Sequence, residues 1–447
     1  MLLDKRYEWT GFIMHENLLY GTLENKNYRP RLIDRRIGER LRLFGAICIQ
    51  GPKYCGKTWT GRSFSNSEIS IMDPAGGFQN REMAELDPNL ILKGSSPRLL
   101  DEWQEVPSLW DAVRNEVDST DKQATFVLTG SAVPRKEKPL HSGVGRIEKL
   151  RMRTMSLQES GESSATVSLK RLFEGDKISD TSPETTLKIL TALVVRGGWP
   201  GSLGTPDSLS QRVPRNYVDT LTHDDLSRVD EVKRDPEKIA RLLHSLARNM
   251  EQATTSKTVI RDMTADASAV PLASETAVDY LEALEKIFIL GPIRPWSPNL
   301  RSSTRINKKP KYHFVDPSLP AAILGASSEM LLKDLKTFGF LFESLCLRDL
   351  LVYAEAMDAE VYFYRDKDGL EADAIVQAAD GTWAGIEIKL GHNQADQAAA
   401  NLLKLKDRIQ ATGGKAPAFL AVLEGIGGFA TTRRDGVHIV PIRTLGA

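Results

Sequence analysis

The stretch Ile47-Cys-Ile-Gln-Gly51-Pro-Lys-Tyr-Cys-Gly56-Lys57-Thr58 is a short apolar strand that runs into the pattern G-x-x-x-x-G-K-[ST]. The two glycines let the backbone turn tightly, so that consecutive N–H groups point inward and can cradle phosphate. In this pattern the lysine reaches the outer phosphates and the threonine hydroxyl binds Mg²⁺, with a helix N-terminus behind them. The stretch predicts a phosphate-binding loop rather than an accidental glycine turn, and its members are Gly51, Pro52, Lys53, Tyr54, Cys55, Gly56, Lys57 and Thr58.

Length and charge limit the class of protein. A chain of 447 residues predicts two or three domains. Lysine plus arginine equal aspartate plus glutamate at 59 each, so no global field draws the chain to nucleic acid or to an anionic membrane. The N-terminus is too charged for a signal peptide, and no apolar run is long enough to span a membrane. These features predict a cytoplasmic protein without membrane contact.

The cysteines Cys48, Cys55 and Cys346 are scattered without metal-ligand spacing. This pattern predicts a reducing compartment and no disulfide framework. Cys55 comes just before a helix N-terminus, so it is either a reactive thiolate or a small residue that fills the loop.

Short apolar segments at 68–73, 97–101, 126–131 and 147–152 predict further strands, with helical spacing between them. Alternating strands and helices predict an α/β domain with a parallel sheet, whose ligands bind at the carboxyl ends of the strands. The acidic pair Asp101-Glu102 stands at such an end. Asp101 can complete a Mg²⁺ shell and Glu102 can deprotonate an attacking water, although such a pair also occurs at surface turns.

Further polar residues flank this predicted site. Thr129 and Ser131 end a strand, where they either sense the γ-phosphate or cap a helix. Arg146 follows a flexible segment and either supplies charge to the transition state, from its own or a neighbouring subunit, or is a surface arginine. Arg31 either contacts phosphate or is solvated. A strand lies between the loop strand and the acidic strand, and no Asn-Lys-x-Asp guanine motif follows, which favours ATP over GTP.

The middle of the chain changes character twice. Residues 156–184 are rich in Ser, Thr, Glu and Gly, which predicts a polar linker or insert with a short helix near 169–173. Residues 185–325 carry helical periodicity. The glycines in Gly197-Gly-Trp-Pro-Gly201 indicate unusual backbone angles, and this turn is either a structural corner or a docking loop.

Residues 255–315 resemble a winged helix, with a helix near 259–263, a longer one capped by Ser274, and wing strands near 287–290 and 312–315. Between Glu285 and Asp316 every charged residue is basic. This asymmetry favours contact with a DNA backbone or, equally, a solvated loop or a docking face for an acidic partner. The basic residues are Lys286, Arg294, Arg301, Arg305, Lys308, Lys309 and Lys311.

The part from 326 to 447 predicts the succession helix, three strands, helix, strand. Side chains alternate along a strand, so Glu387 and Lys389 share a face, and a hairpin turning at Asp380-Gly381 brings Asp373 beside them. Two carboxylates can hold Mg²⁺ and polarise a phosphodiester, while the lysine neutralises developing charge. The alternative is a surface ladder of ion pairs.

Several separated motifs resemble one protein family. The loop 51–58, the segment Leu99-Leu-Asp-Glu-Trp-Gln-Glu-Val-Pro107 and Thr129-Gly-Ser131 resemble the ATPase core of prokaryotic AAA-type, STAND-like ATP-binding proteins. Arg196-Gly-Gly-Trp-Pro200 and Phe338-Gly-Phe-Leu-Phe-Glu343 resemble the domain of unknown function that follows this core. The C-terminal part is similar to PD-(D/E)XK nucleases, whose pattern is matched at Glu343, Asp373, Glu387 and Lys389.

The resemblance implies ATP and Mg²⁺ binding by a P-loop NTPase sheet in 1–155, and a restriction-endonuclease-like α/β domain in 326–447. It also implies the metal ligands Thr58 and Asp101 in the first domain and Glu343, Asp373 and Glu387 in the second. The leading hypothesis is an ATPase that acts on or near DNA, which it contacts through 294–311. The rival hypothesis is a nucleotide-switched scaffold that binds a protein partner and whose nuclease-like domain is inert. Whether the chain forms a homo-oligomer is left open.

Overall fold

The computed structural model describes residues 20–23, 25, 27–120, 122–133, 141–226, 232, 234–250, 274–299 and 310–447. Its first sheet has the spatial order β2-β3-β4-β1-β5, and all of its strands run parallel. Strand β4 therefore lies between the loop strand β1 and the acidic strand β3. The strands are β1 (Ala46–Gln50), β2 (Ser67–Ser70), β3 (Arg98–Asp101), β4 (Phe126–Gly130) and β5 (Ile147–Arg151).

Helices cover both faces of this sheet, because alternate residues of its buried strands pack in opposite directions. In β1, Ile47 and Ile49 face one core with Ile37, whereas Ala46 and Cys48 face the other core. A parallel sheet buried on both sides requires such continuous apolar strands. The helices are α1 (Ile33–Leu41), α2 (Lys57–Ser63), α3 (Gln79–Leu86), α4 (Asn89–Leu92) and α5 (Ser108–Thr120).

The next part of the chain is mainly helical, as predicted. Its described residues include an antiparallel hairpin, in which Leu290 pairs with Phe314 and Ile293 with Lys311. The first hairpin strand begins three residues later than the sequence predicted, and the predicted helix at 259–263 lies outside the described residues. The elements are β6 (Val167–Ser168), α6 (Leu169–Phe173), β7 (Ser179–Thr181), α7 (Leu187–Arg196), α8 (Asp207–Ser210), α9 (Arg212–Thr220), a π-helical turn (Leu221–Asp225), α10 (Pro236–Arg248), α11 (Ser274–Lys286), β8 (Leu290–Ile293), β9 (Lys311–Phe314), α12 (Ser318–Ile323) and α13 (Ser328–Lys333).

The C-terminal part contains the predicted succession of helix, three strands, helix and strand. Its mixed sheet has the order β10-β11-β12-β13-β15-β14-β7 and is compatible with the predicted restriction-endonuclease-like class. The elements are α14 (Leu335–Ala356), β10 (Glu360–Arg365), β11 (Glu371–Gln377), β12 (Trp383–Gly391), α15 (Ala395–Ala411), β13 (Phe419–Ile426), β14 (Phe429–Thr432), β15 (His438–Pro441) and β16 (Leu445–Gly446).

Residues 156–184, predicted as a polar linker or insert, are built into this C-terminal part. Strand β7 pairs with β14 at the edge of the large sheet, and β6 pairs with β16. The few apolar residues of the segment, such as Val167 and Leu172, are buried in the same core as Leu345. The short helix predicted near 169–173 is present as α6. The other domain limits given by the sequence stay predictions.

The glycine turn after α7 is a structural corner. Gly197 has φ +73° and ψ −173°, a region of backbone space that is essentially restricted to glycine. A Cβ at this position would lie 2.2 Å from the Asp316 carboxylate, which accepts a hydrogen bond from the Gly198 N–H at 2.9 Å. The same carboxylate lies 3.5 Å from Arg348, which is buried in α14. The corner thus ties α7 to the start of α12 and to the long C-terminal helix.

Candidate functional site

The predicted phosphate loop lies between β1 and α2, at the carboxyl edge of the parallel sheet. Two of its residues have positive φ, Gly56 at +105° and Tyr54 at +62°. The Lys57 side chain folds over the loop and its Nζ donates to the Pro52 carbonyl at 2.8 Å. The lysine is only 5% exposed. The sequence pattern therefore forms the strand, turn and helix that a phosphate cradle requires.

Asp101, at the end of β3, lies directly beside the start of α2. Its Oδ1 accepts hydrogen bonds from the Thr58 hydroxyl at 2.9 Å and from the Thr129 hydroxyl. Burial raises the pKa of Asp101, and these two hydrogen bonds oppose that shift. The sheet register places Asp101 opposite Thr129, so this contact follows from the pairing of β3 with β4.

Glu102 follows in a left-handed conformation, with φ +60° and ψ +44°. A residue other than glycine rarely adopts these angles, and they concentrate at functional sites. Its carboxylate accepts hydrogen bonds from the Ser131 hydroxyl at 3.0 Å and from the Gln104 amide. Thr129 and Ser131 therefore hold the acidic pair. The alternative that they cap a helix is wrong, and sequence reasoning missed Gln104 altogether.

Arg31 is buried beneath the loop, so the alternative that it is solvated is wrong. Its guanidinium donates to the Cys55 carbonyl at 2.8 Å and to the Arg153 carbonyl at 2.8 Å. It also pairs with the Glu159 carboxylate at 3.0 Å, and their side chains are 4% and 1% exposed. Burial of the guanidinium opposes its charge, yet Glu159 keeps the pKa of Arg31 above its ordinary value.

The tip of the loop contacts the helical region. Lys53 Nζ lies 2.7 Å from the Asp225 carboxylate at the end of the π-helical turn. The ring of Tyr54 meets Tyr217 edge-on, with the ring centroids 6.3 Å apart. Cys55 is fully buried, so it fills the loop and the alternative of a reactive thiolate is wrong.

A second polar cluster lies on the C-terminal sheet. The hairpin between β11 and β12 brings Asp373 beside Glu387 and Lys389, as the sequence predicted. Lys389 Nζ lies 2.6 Å from a Glu387 oxygen and 3.3 Å from Asp373 Oδ2, which also accepts from the Ile388 N–H at 2.7 Å. Burial and the neighbouring Asp373 charge raise the pKa of Glu387 well above its ordinary range. A cation placed beside a buried carboxylate favours its charged form.

The predicted set of three metal-binding carboxylates is not assembled. Within the part of the chain that the structure describes, no group of three or more His, Cys, Asp or Glu side chains is placed to hold a metal ion. Asp373 and Glu387 meet through Lys389, whereas Glu343 comes from α14.

One further acidic residue near this cluster was missed. Glu424 lies opposite Lys389 in the parallel pairing of β12 with β13, so the two side chains share a face. Its side chain is fully buried and lies 2.8 Å from His392 Nδ1, whose side chain is 73% exposed. The apolar run of β13 could have indicated Glu424, because this residue is the one charge that interrupts it.

Comparison with known families decides the nature of the first domain. Residues 44–161 match a family model described as an AAA domain. This range contains the loop, the acidic pair and the complete five-stranded sheet. Residues 44–161 form an AAA-type P-loop ATPase domain. Residues 187–330 and 338–445 match models described as Domain of unknown function (DUF8612) and Domain of unknown function (DUF4143).

Similar whole proteins add little about function. An uncharacterized protein of Mycobacterium tuberculosis is 25% identical over 358 residues, which cover 79% of this chain and 72% of the relative. An uncharacterized protein of Mycobacterium bovis gives the same values. The Walker-type ATPase of Pyrococcus abyssi aligns with a TM-score of 0.38 and 16% identity, covering 65% of this chain and 94% of that one. AMPPCP-bound DnaA of Aquifex aeolicus aligns with a TM-score of 0.24 and 14% identity, over 59% and 91% of the two chains. Neither TM-score supports a conclusion about this chain.

Arg146 lies at the wrong end of the ATPase sheet to act on its own subunit's nucleotide. It precedes β5, and its carbonyl accepts from the N–H of Ala46, the first residue of β1. The loop follows the last residue of that strand, which has five residues and spans about 16 Å. Its side chain pairs with Asp118 at 2.6 Å. The cis alternative is therefore wrong, and a role in a neighbouring subunit stays a prediction.

The predicted basic face is only partly available for contact. Of the described basic residues, Lys311 is 7% exposed, and its ammonium lies 5.2 Å from the centre of the Phe363 ring. Lys286 lies 3.7 Å from Glu282 on its own helix, whereas Arg294 is exposed. Arg301, Arg305, Lys308 and Lys309 lie outside the described residues. Among the helices that the structure describes, none is both long and apolar enough to cross a membrane.

Proposed function

We propose that this protein is a Mg²⁺-dependent ATPase whose nucleotide state is passed to the helical region and to the C-terminal domain, and that it acts on or near DNA. The observation that carries the proposal is the acidic pair above the loop. Asp101 receives hydrogen bonds from Thr58 and Thr129, and Glu102 from Ser131. We assign the metal ion to Asp101 and the attacking water to Glu102.

The residues present fit a magnesium ion. P-loop ATPases hold Mg²⁺ through the loop Ser or Thr and an acidic residue at a strand end, and here these oxygens are 2.9 Å apart. Bound with ATP, Mg²⁺ would supply positive charge that offsets the negative charge of the phosphates. The loop N–H groups and Lys57 bind phosphate, and Glu102 orients the water and accepts its proton.

Contacts at the loop support a link to the rest of the chain. Lys53 pairs with Asp225, and Tyr54 meets Tyr217, whose ring centroid lies 4.7 Å from that of Trp199. The indole N–H of Trp199 donates to the Ser318 hydroxyl at 2.9 Å. These contacts form a continuous path from the loop tip to the corner that ties α7 to α14. A coupling of this kind requires that the two nucleotide states differ at these contacts.

The test is ATP hydrolysis by the purified protein in Mg²⁺, with and without DNA, beside the Glu102→Gln and Lys57→Ala variants. We expect Lys57→Ala to abolish tight ATP binding, and Glu102→Gln to bind ATP but hydrolyse it about 100-fold more slowly or worse. Stimulation by DNA that disappears in Glu102→Gln supports action on DNA. Slow turnover that is indifferent to DNA favours the rival scaffold that binds a protein partner. ATP affinity unchanged by Lys57→Ala would refute the site.

The second candidate activity is metal-dependent DNA cleavage by the C-terminal domain. It is favoured by the contact of Lys389 with both Asp373 and Glu387 and by the raised pKa of Glu387. Two adjacent carboxylates fit Mg²⁺, which would polarise the phosphodiester, while Lys389 would neutralise charge on it. We expect cleavage that is lost in Asp373→Ala. Cleavage that persists in this variant would come from another source, and its absence in the wild type would leave the domain as a scaffold.

A further inference from the structure

The buried arginine beneath the phosphate loop belongs neither to the loop nor to the acidic pair. Arg31 lies outside the G-x-x-x-x-G-K-[ST] pattern, 24 positions before the loop residue that it contacts. A buried guanidinium is costly unless it is paired and fully hydrogen-bonded. Arg31 meets this condition with three partners from two distant parts of the chain: the Cys55 carbonyl in the loop, and the Arg153 carbonyl and Glu159 carboxylate after β5.

The contact with Cys55 decides which way one peptide group of the loop faces. A trans peptide is planar, and its C=O and N–H bonds point in opposite directions. Arg31 Nη1 holds the Cys55 carbonyl on the outer side of the loop at 2.8 Å. The N–H of the same peptide, which belongs to Gly56, therefore points to the inner side, where phosphate binds. Gly56 is also the residue with φ +105°, which any flip of this peptide would change.

The other two contacts fix the guanidinium itself. Glu159 accepts from Arg31 Nε and also from the N–H groups of Leu32 at 2.9 Å and Ser156 at 2.8 Å. The Arg153 carbonyl, just after β5, accepts from Nη2. The planar fork of arginine satisfies acceptors in these three directions because its donors lie on three separate nitrogens, whereas the three donors of lysine all leave from one nitrogen.

We propose that Arg31 is a positioning residue for nucleotide binding: by holding the Cys55 carbonyl outward, it keeps the Gly56 N–H aimed at the phosphate. This inference rests on the proposed ATPase function. Arg31 does not touch the nucleotide in this arrangement and acts through the loop backbone. Its loss weakens the binding of ATP and ADP alike, because the loop N–H groups contact the phosphates before and during the reaction.

The test compares Arg31→Lys with Arg35→Lys by titration of ATP and ADP, steady-state hydrolysis and thermal unfolding. Arg35 lies in α1, four positions after Arg31, but its side chain is 50% exposed and pairs with Glu39 at the surface. We expect Arg31→Lys to weaken ATP and ADP binding by about 10-fold and to raise KM with it, while kcat changes less than threefold. Arg35→Lys should leave all of these values unchanged.

A second pair of variants keeps the test valid if Arg31→Lys fails to fold. Glu159→Gln keeps the Arg31 contact with Cys55, and the double variant Arg31→Gln/Glu159→Gln removes it without leaving an unpaired buried charge. We expect the double variant to bind ATP about 10-fold more weakly than Glu159→Gln.

Equal nucleotide affinities within each pair, together with loss of binding in Lys57→Ala, would overturn the role of Arg31 and leave the ATPase proposal intact. Failure of the wild type to bind ATP would overturn both. A fall in melting temperature without a change in affinity would also overturn it, because it would assign Arg31 to the fold alone.

Discussion

Removal of the Ser131 hydroxyl should slow ATP hydrolysis without weakening ATP binding. Ser131 is 5% exposed and its Oγ donates to Glu102 Oε2 at 3.0 Å. Ser131→Ala deletes only this oxygen, so it leaves almost no cavity. Glu102 keeps the hydrogen bond from Gln104, but its left-handed backbone is then supported from one side only.

The magnitude follows from the hydrogen bond that is lost. A hydrogen bond to a charged group contributes about 1.5–3 kcal/mol, and the remaining donor places Ser131→Ala at the lower end. About 1.5 kcal/mol corresponds to roughly a 10-fold fall in kcat. ATP affinity should stay within twofold, because Ser131 acts on the residue that activates water and not on the phosphate cradle.

The assay is steady-state ATP hydrolysis at saturating ATP, in a cycle of wild type, Ser131→Ala, Glu102→Gln and the double variant. If Ser131 works through Glu102, its removal has no further effect in the Glu102→Gln background. A kcat within twofold of the wild type in Ser131→Ala would refute the reasoning. An equal, additive loss in both backgrounds would also refute it, because Ser131 would then act independently of Glu102.

Two further predictions concern stability. Gly197→Ala should cost about 3–5 kcal/mol, from about 1–3 for the backbone angles and the rest for displacing Asp316. Gly201→Ala is the control, because no atom lies within 4 Å of the added Cβ, and it should melt within about 2 °C of the wild type. Equal melting temperatures for the two variants would contradict the structural role of Gly197. Burial raises the pKa of Asp34 from 3.8 to about 7, although Tyr28 and Arg31 donate to it and oppose the shift, and Glu159 adds to it. The native state therefore binds this proton more tightly than the unfolded state, so stability from this group is present at low pH and is lost as pH rises from about 4 to about 7, by at most about 4 kcal/mol. Asp34→Asn should remove this loss, so the melting temperature of the variant should rise relative to that of the wild type between pH 5 and pH 8. A difference in melting temperature that does not change with pH would contradict the raised pKa of Asp34.

Local sequence patterns were sufficient to predict those structural features that depend on residues close together in the chain. The G-x-x-x-x-G-K-[ST] pattern predicted the loop between β1 and α2, and apolar runs predicted the five parallel strands to within a few residues. In the C-terminal part, alternation along β12 predicted that Glu387 and Lys389 share a face. The Asp380-Gly381 turn then placed Asp373 beside them, because a hairpin fixes the register of its strands.

Features that depend on distant partners could not be predicted in this way. Arg31 is buried because Glu159 meets it from 128 residues away, and nothing in the local sequence distinguishes it from a solvated arginine. Residues 156–184 look like a linker because only a few apolar side chains anchor them. Their strands form only when the edges at β14 and β16 are present. Polar composition thus indicates exposure but not whether a segment pairs with a sheet.

The Arg146 error is different, because the sequence already contained the information to avoid it. A residue that precedes a strand of a parallel sheet lies at the amino edge, whereas ligands bind at the carboxyl edge. The same rule also explains the acidic pair. Once β4 is placed between β1 and β3, the residues that end β4 must lie between the loop and the end of β3. Thr129 and Ser131 are those residues, and they donate to Asp101 and Glu102 respectively. The inserted strand therefore does more than favour ATP over GTP: it supplies the hydroxyls that orient both carboxylates of the site.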